Sequence, residues 1–356
     1  TSFAAYIKQT AISTAYPCSV LMTFSEQHEI ISFLRLTTEE WSKKLLSNIR
    51  LSCDFSYEII GFDSKNAEQI RRFYTYIYIN INGRTKLSKS SIFPYLLQLE
   101  EIQKYVEHIL LNIDLNVEKH MIEPGFFDIV FEAGWPGLIF HEACGHCLES
   151  DNIVRGTSIF GKKDLGRKVS IPELTLVDDP TKRYGGYLDI DDEGNKSMPI
   201  ELIKNGYLAS FITDEKGANT LSTENNGHGR KEKYSSKTLP RMTNTFIFPN
   251  GICTREDIIS NIDNGIYVKN LGGGSVNIST GEFCFYVTEA EKIEGGKVIH
   301  HLNDLMVIDN SLHFLENIFS IANNLVIESG FCKKEGQCVP VGCGQPTIAV
   351  HYVYIR

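Results

Sequence analysis

Several things are missing from this sequence. No uninterrupted apolar run of about 18 residues occurs, because Asp, Glu, Lys or Gly breaks every candidate, and this excludes a membrane-spanning helix. Basic charge is not in excess: 44 acidic residues face 35 basic ones, for a net charge of −9 and a pI near 5.6. Such a surface repels phosphate backbones, which excludes a dedicated nucleic-acid binder. No internal repeat of about 20–50 residues and no low-complexity tract is present. Tryptophan is scarce at 2 residues, but 16 Tyr and 20 Phe bring the aromatic share to 11%, which argues against general disorder. The apolar-leaning stretch 11–22 has only Lys8 ahead of it, so no secretory signal is read, and Thr1 is taken as a truncation point.

What is present describes a globular chain. The 356 residues, 42% apolar and 22% charged, leave room for two ordinary domains and a real core. The 9 cysteines, at 18, 53, 144, 147, 253, 284, 332, 338 and 343, are odd in number and widely spread. That pattern predicts buried thiols with one or two functional ones in a reducing compartment, the cytoplasm, and not a disulfide scaffold.

The fold class expected is α+β, in two parts. An amino-terminal α/β-layer portion covers 1–134 and a β-rich, largely antiparallel domain covers 135–356, with a metal-binding helix at the junction. In the first part, Thr37 or Thr38 is expected to cap a helix carrying Trp41, Leu45, Leu46 and Ile49. Strand patterns follow at 52–60 and 73–81, the latter alternating Tyr with Ile and ending at the turn signal Asn82-Gly83. A helix is read over 96–111, with Leu97, Ile102, Val106 and Ile109 on one face, and a short strand over 126–132. After about residue 170 short β-branched runs alternate with Gly, Asn and Asp, and a helix is read at 254–263.

Chemistry concentrates in Trp135-Pro136-Gly137-Leu138-Ile139-Phe140-His141-Glu142-Ala143-Cys144-Gly145-His146. Two imidazoles with a glutamate beside the first follow the logic of a zinc peptidase, in which histidines hold the ion and the carboxylate draws a proton from water. The spacing differs from the usual four: His141 and His146 are five apart, about 140° around an α-helix. Both reach one ion only if the turn widens, as in a π-bulge, or loosens at Gly145; otherwise they are two unrelated helix histidines. A third ligand is sought among the thiols of the Gly- and Pro-rich segment 332–346, where Lys333 and Lys334 favour ionisation of Cys332.

Other motifs have milder readings. Cys144 and Cys147 are spaced like half a zinc knuckle or a redox pair, but with no second pair they read as packing. The Asp189-Ile190-Asp191-Asp192-Glu193-Gly194 segment starts like a calcium loop, but Ile200 stands where a bidentate Glu is required, so a hairpin turn is expected. The Gly272-Gly273-Gly274 run lacks the features of a phosphate loop and reads as a close-packed turn or an edge for a peptide backbone. Arg241 is expected either to pair with an acidic neighbour or to orient a substrate carboxylate.

Taken in order, the His141 to His146 block, Arg155-Gly156-Thr157-Ser158, the Asp189 segment, Pro240-Arg241-Met242-Thr243-Asn244-Thr245, the Gly272 run and the 332–346 segment resemble the TldD/PmbA family, and within it the TldD-type subunit. The resemblance runs from about residue 40 to the end of the sequence. It implies a zinc metallopeptidase with His141, His146 and Cys332 as Zn2+ ligands and Glu142 as the catalytic general base. It also implies unfolded peptides or small proteins as substrate, and a dimer with a PmbA (TldE)-type subunit or a homodimer. The alternative it leaves is a non-catalytic peptide-binding or scaffold subunit acting as a gyrase modulator. The sequence departs from the family in three places: an opening portion is missing, Lys333 stands where Gly is usual, and Gly83-Arg84-Thr85-Lys86 holds a single glycine.

Overall fold

The computed structural model describes residues 7–12, 24–44, 48–60, 70–82, 86–94, 97–111, 118–233, 235–249 and 252–356. The readings made for Thr1, for most of the 11–22 stretch, for Leu45 and Leu46, for Gly83 to Thr85 and for Leu96 lie outside the described residues, and Ile49, read on the helix of Trp41, belongs instead to the strand Asn48–Ile60. The chain divides into two compact units, 1–117 and 118–356. Both mix helices and strands, and the chain is α+β and β-rich.

In the first unit a four-stranded sheet runs in the order Ile7–Ile12, Asn48–Ile60, Ile70–Asn82 and Lys86–Phe93. The first pair is parallel and the other two are antiparallel. The Tyr/Ile alternation has the period of two that a half-buried strand requires: Ile77, Ile79 and Ile81 enter the core beside Ile49, Leu51 and Cys53. The helix Leu99–Leu111 covers that face through Ile102, Val106 and Leu110. The expected cap at Thr37 or Thr38 is corrected, because the helix Phe24–Lys44 runs through both. Ile30, Leu34 and Trp41 share the core, so tertiary packing carries the helix past two residues that favour caps. Instead of capping, the Thr38 hydroxyl donates to the carbonyl of Leu34 at 2.7 Å, within the helix.

The second unit contains two large sheets and the two-stranded pair of Gly229–Arg230 with Leu239–Pro240. The larger runs in the order Asn264–Val276, Gly125–Phe131, Ile348–Ile355, Leu305–Asn310, Glu282–Glu294, Lys297–Leu302 and Lys119–His120, with Ile318–Ile321 attached to Ile348–Ile355. The long hairpin between Asn264–Val276 and Glu282–Glu294 joins the first strand to the fifth and closes these strands into a ring. The FFDIVF strand, read with the amino-terminal portion, is therefore a member of this ring, flanked by Asn264–Val276 and Ile348–Ile355. Of the two readings of the Gly272 run, the close-packed turn is corrected: it lies within a strand, where register shifts between Val268 and Gly274 mark bulges. The Asp189 segment is a tight turn, with Ile190 bridging Lys196 and the Asp191 carboxylate accepting from the amides of Glu193 and Asn195.

The smaller sheet runs Val326–Lys334, Gln337–Gln345, Asn244–Ile247, Leu176–Asp178, Ile200–Lys204 and Tyr207–Leu208, which puts the Cys332 strand at its edge. One core joins the ring to residues 139–153, and Phe314 is its aromatic hub. Its ring centroid lies 5.6 Å from that of Phe131, 5.7 Å from that of Phe140 and 5.6 Å from that of Phe283. Phe140 directly precedes His141, so this cluster anchors the stretch that carries the histidines. Replacing Phe314 with Ala is expected to destabilise the second unit by about 3–5 kcal/mol in urea unfolding. A loss below about 1 kcal/mol would show that the cluster relaxes to fill the space.

Candidate metal centre

The segment from Trp135 to Leu148 is not a regular α-helix. A 3₁₀ turn, Trp135–Gly137, opens it with Pro136 in its first turn, where the missing N–H is harmless. Gly137 meets the strand Gln337–Gln345 so closely that a Cβ would stand 2.5 Å from the Gly344 carbonyl carbon, and this contact docks the turn on the Cys332 hairpin. After one short α-helical stretch, His141–Gly145 forms a π-helical turn, and the His146 amide donates back to the His141 carbonyl. A π-turn closes its hydrogen bond across five residues, so the five-residue spacing brings both rings towards one side. Their centroids are 5.2 Å apart with planes at 85°. Gly145 itself has ordinary helical torsions, φ −57° and ψ −52°. Its lack of a side chain serves space and not torsion, because the Met242 sulfur occupies the position a Cβ would take.

Cys332 completes the group. The ligand atoms of His141, His146 and Cys332 lie within 4.8 Å of one another, and all three side chains are buried. The Cys332 sulfur is 3.3 Å from His146 Nε2. Burial opposes ionisation of the thiol, but the imidazoles of His146 and His141 draw its pKa well below the usual thiol range. Cys343 lies beside His141 but outside this group, and Cys338 projects from the other face of the hairpin, since it pairs with Lys333 and not with Cys332. Cys144 and Cys147 pack in the core, where burial pushes the Cys147 thiol up to about 12 and Cys144 also well above its ordinary value.

The donor set fits a zinc ion. Both ring nitrogens of His141 are buried without a hydrogen-bond partner, a situation that costs about 1–3 kcal/mol per unpaired group. Two imidazoles and a thiolate match the ligand preference of zinc, and three protein ligands leave a fourth position open. Glu142 borders the group on its more exposed side, with Oε2 at 3.7 Å from His146 Nε2.

The sequence reading passed over Glu149 and the role of Lys334. Glu149 is fully buried, and its Oε2 lies 2.8 Å from His146 Nδ1. This bond leaves His146 Nε2 facing Cys332, the arrangement metal-binding histidines use to fix their orientation. Lys334 reaches the same carboxylate oxygen at 2.9 Å and Asp151 at 2.6 Å. Burial opposes the charge on Glu149, but His146 and then Lys334 hold its pKa at about 2. The local signals were slight: a carboxylate three residues after His146, and a lysine two residues after Cys332 on the same strand face. A cavity of about 330 Å³, with Asp151 and Pro240 in its wall, adjoins this network. Arg241 meets neither expectation made for it. It is fully buried and its Nη2 donates to the Cys332 carbonyl at 2.8 Å.

Comparison with known proteins identifies the family to which the chain is similar. The family model described as the PmbA/TldA metallopeptidase C-terminal domain matches residues 124–356. A protein named metalloprotease TldD homolog from Buchnera aphidicola subsp. Schizaphis graminum is 41% identical over 237 residues, 66% of this chain and 49% of that one. Its namesake from Buchnera aphidicola subsp. Acyrthosiphon pisum is 32% identical over 334 residues, 91% of this chain and 66% of that one. The chain thus spans between about half and two thirds of the length of these curated relatives. Among solved structures, TldE from Thermococcus kodakarensis shares the fold, with a TM-score of 0.70 and 19% identity over 100% of this chain and 79% of that one.

Glu149→Gln removes the charge that orients His146. Zinc affinity, measured by competition with a chromogenic chelator, is expected to fall about 10- to 100-fold. Because the native carboxyl titrates at about 2 and the ordinary value is 4.5, its contribution to stability is present above pH 4.5 and is lost as the pH falls towards 2. Acid unfolding of Glu149→Gln should therefore lack that part of the pH dependence; a variant that follows the parent curve would rule out this role.

Proposed function

The chain belongs to the PmbA/TldD family of metallopeptidases, and on that footing we propose that it hydrolyses peptide bonds in unfolded peptides or small proteins with the help of a zinc ion. His141, His146 and Cys332 would hold the ion. The observation that supports this most directly is their convergence within 4.8 Å, from mid-chain and from near the end of the sequence. When bound, zinc supplies Lewis acidity that polarises a carbonyl and lowers the pKa of water.

The chain's own groups do the rest. Glu142 is the general base: it stands beside His146 Nε2 on the open side of the group and is placed to take the proton of the attacking water and hand it to the leaving amine. Glu149 holds His146 in register, and Lys334 keeps Glu149 ionised. The buried walls around Phe140, Cys144 and Cys147 exclude bulk water from the inner side. A thiolate ligand lasts where thiols stay reduced, which suits the cytoplasm. A PmbA (TldE)-type subunit is the proposed partner, with a homodimer as the alternative assembly.

Glu142→Gln is the decisive variant. It should retain about one zinc per chain, as a mononuclear site requires. Its turnover of a denatured protein substrate should drop by about 10²- to 10⁴-fold, the usual worth of a positioned base. The assay is run on the chain alone and with a TldE-type subunit added. Zinc binding with no cleavage in either case would favour the scaffold reading, and full activity in the variant would remove Glu142 from the mechanism.

A second expectation concerns the ion. Treatment with a chelator should abolish cleavage, and added zinc should restore it. Cleavage that survives removal of all metal, checked by elemental analysis, would contradict the proposed chemistry.

A further inference from the structure

One short segment touches both halves of the centre. Met242 is fully buried and its sulfur fills the space beside Gly145, within the π-turn between the two histidines. Its neighbour Arg241 turns the other way and donates through Nη2 to the carbonyl of Cys332 at 2.8 Å. Lys334, on the Cys332 strand, donates in turn to the carbonyl of Pro240 at 3.3 Å. The segment is itself held rigidly. The Arg241 amide donates to the His228 carbonyl at 3.0 Å, and Arg230 donates to the carbonyls of Met242 and Pro340, each at 2.7 Å. Thr243 binds the buried Asp178 carboxylate, which also meets His228 at 3.0 Å.

The Arg241 guanidinium is an unusual choice for such a place. It is always charged, its exposure is 0%, and no carboxylate lies within ion-pair distance among the described residues. Its Nε and Nη1 have no hydrogen-bond partner. A buried charge satisfied at one corner is a burden on folding, and an apolar side chain of similar volume in such a position often leaves stability equal or improved. Stability therefore does not account for this arginine, whereas its one bond ends on the main chain of the residue that supplies the thiol.

We propose that Arg241 is a positioning residue for the metal centre: by gripping the Cys332 carbonyl while Met242 braces the π-turn, it sets the distance between the thiol and the two imidazoles. This rests on the reading of His141, His146 and Cys332 as zinc ligands. A rigid strut lowers the reorganisation needed when an ion binds, so its removal weakens affinity without unfolding the chain.

The test separates affinity from stability. Arg241→Met and Arg241→Lys are prepared from the full chain, and zinc affinity is measured against a fluorescent chelator, alongside thermal unfolding of the zinc-free proteins. Arg241→Met should unfold at the same or a higher temperature than the parent, yet bind zinc about 10-fold or more weakly. Arg241→Lys, which keeps a cationic donor without the planar fork, should fall between parent and Met variant. Zinc affinity within about threefold of the parent in both variants would overturn the proposal and leave the metal reading intact, since a lost strut is expected to cost about tenfold. A parallel loss of stability and affinity in both variants would make Arg241 a packing residue and overturn it too. A parent chain that binds no zinc would instead fail the metal reading itself, and with it this inference.

Discussion

Two imidazoles five residues apart can face one point only where the helix between them widens by one residue per turn. The π-turn His141–Gly145 meets that constraint, and its closing bond joins the backbones of the two histidines themselves. Most of the surrounding structure serves to keep this turn from relaxing into an α-helix. Phe140 fixes its start in the aromatic core, Gly137 fits its approach against the Cys332 hairpin, and Met242 occupies the room that Gly145 leaves. A π-turn gives up the favourable geometry of α-helical bonds, so it persists because its neighbours over-determine it.

The chemistry around the turn is layered by charge. Glu142 borders the group on its more exposed side, 3.7 Å from His146 Nε2. Beyond His146 the buried Glu149 faces both an imidazole and the Lys334 ammonium, and Asp151 completes the cluster towards the adjoining cavity. A carboxylate buried without such partners would be neutral, and a neutral Glu149 would offer His146 a much weaker hold. The lysine and the thiol sit two residues apart on one strand, so the element that presents the thiol also carries the cation that keeps Glu149 charged.

How much of this was legible follows from the range of each interaction. Strand and helix patterns within a few residues, such as the Tyr/Ile alternation of Ile70–Asn82 and the face of Leu99–Leu111, read directly as periodicity. The His141-Glu142…His146 block was equally local, and counting residues around a helix axis gave a widened turn as one of the ways its two rings could meet an ion. Cys332 was preferred to its neighbouring thiols through a family resemblance, because spacing does not distinguish it and the adjacent Lys333 and Lys334 only favour its ionisation. Pairings across long stretches of chain left no local trace. The ring that joins Gly125–Phe131 to strands from the other end of the unit, the helix that overrides Thr37 and Thr38, and the grip of Arg241 on Cys332 all depend on which distant segments pack together. Gly145 was read correctly as special but for the wrong cause, since a sequence shows a missing side chain without showing what fills its place.

The span between the ligands has a thermodynamic meaning of its own. His146 and Cys332 are 186 positions apart, so an ion held by both would act as a reversible cross-link across most of the second unit. Closing a loop of that length removes a large share of the freedom of the unfolded chain, as a long-range disulfide does, without requiring an oxidising compartment. Such a link would also obey mass action: once the ion is in excess of its dissociation constant, each tenfold rise in its free concentration would add about 1.4 kcal/mol to the folded state. With zinc held as proposed, the durability of this architecture would be tied to the zinc supply of its surroundings.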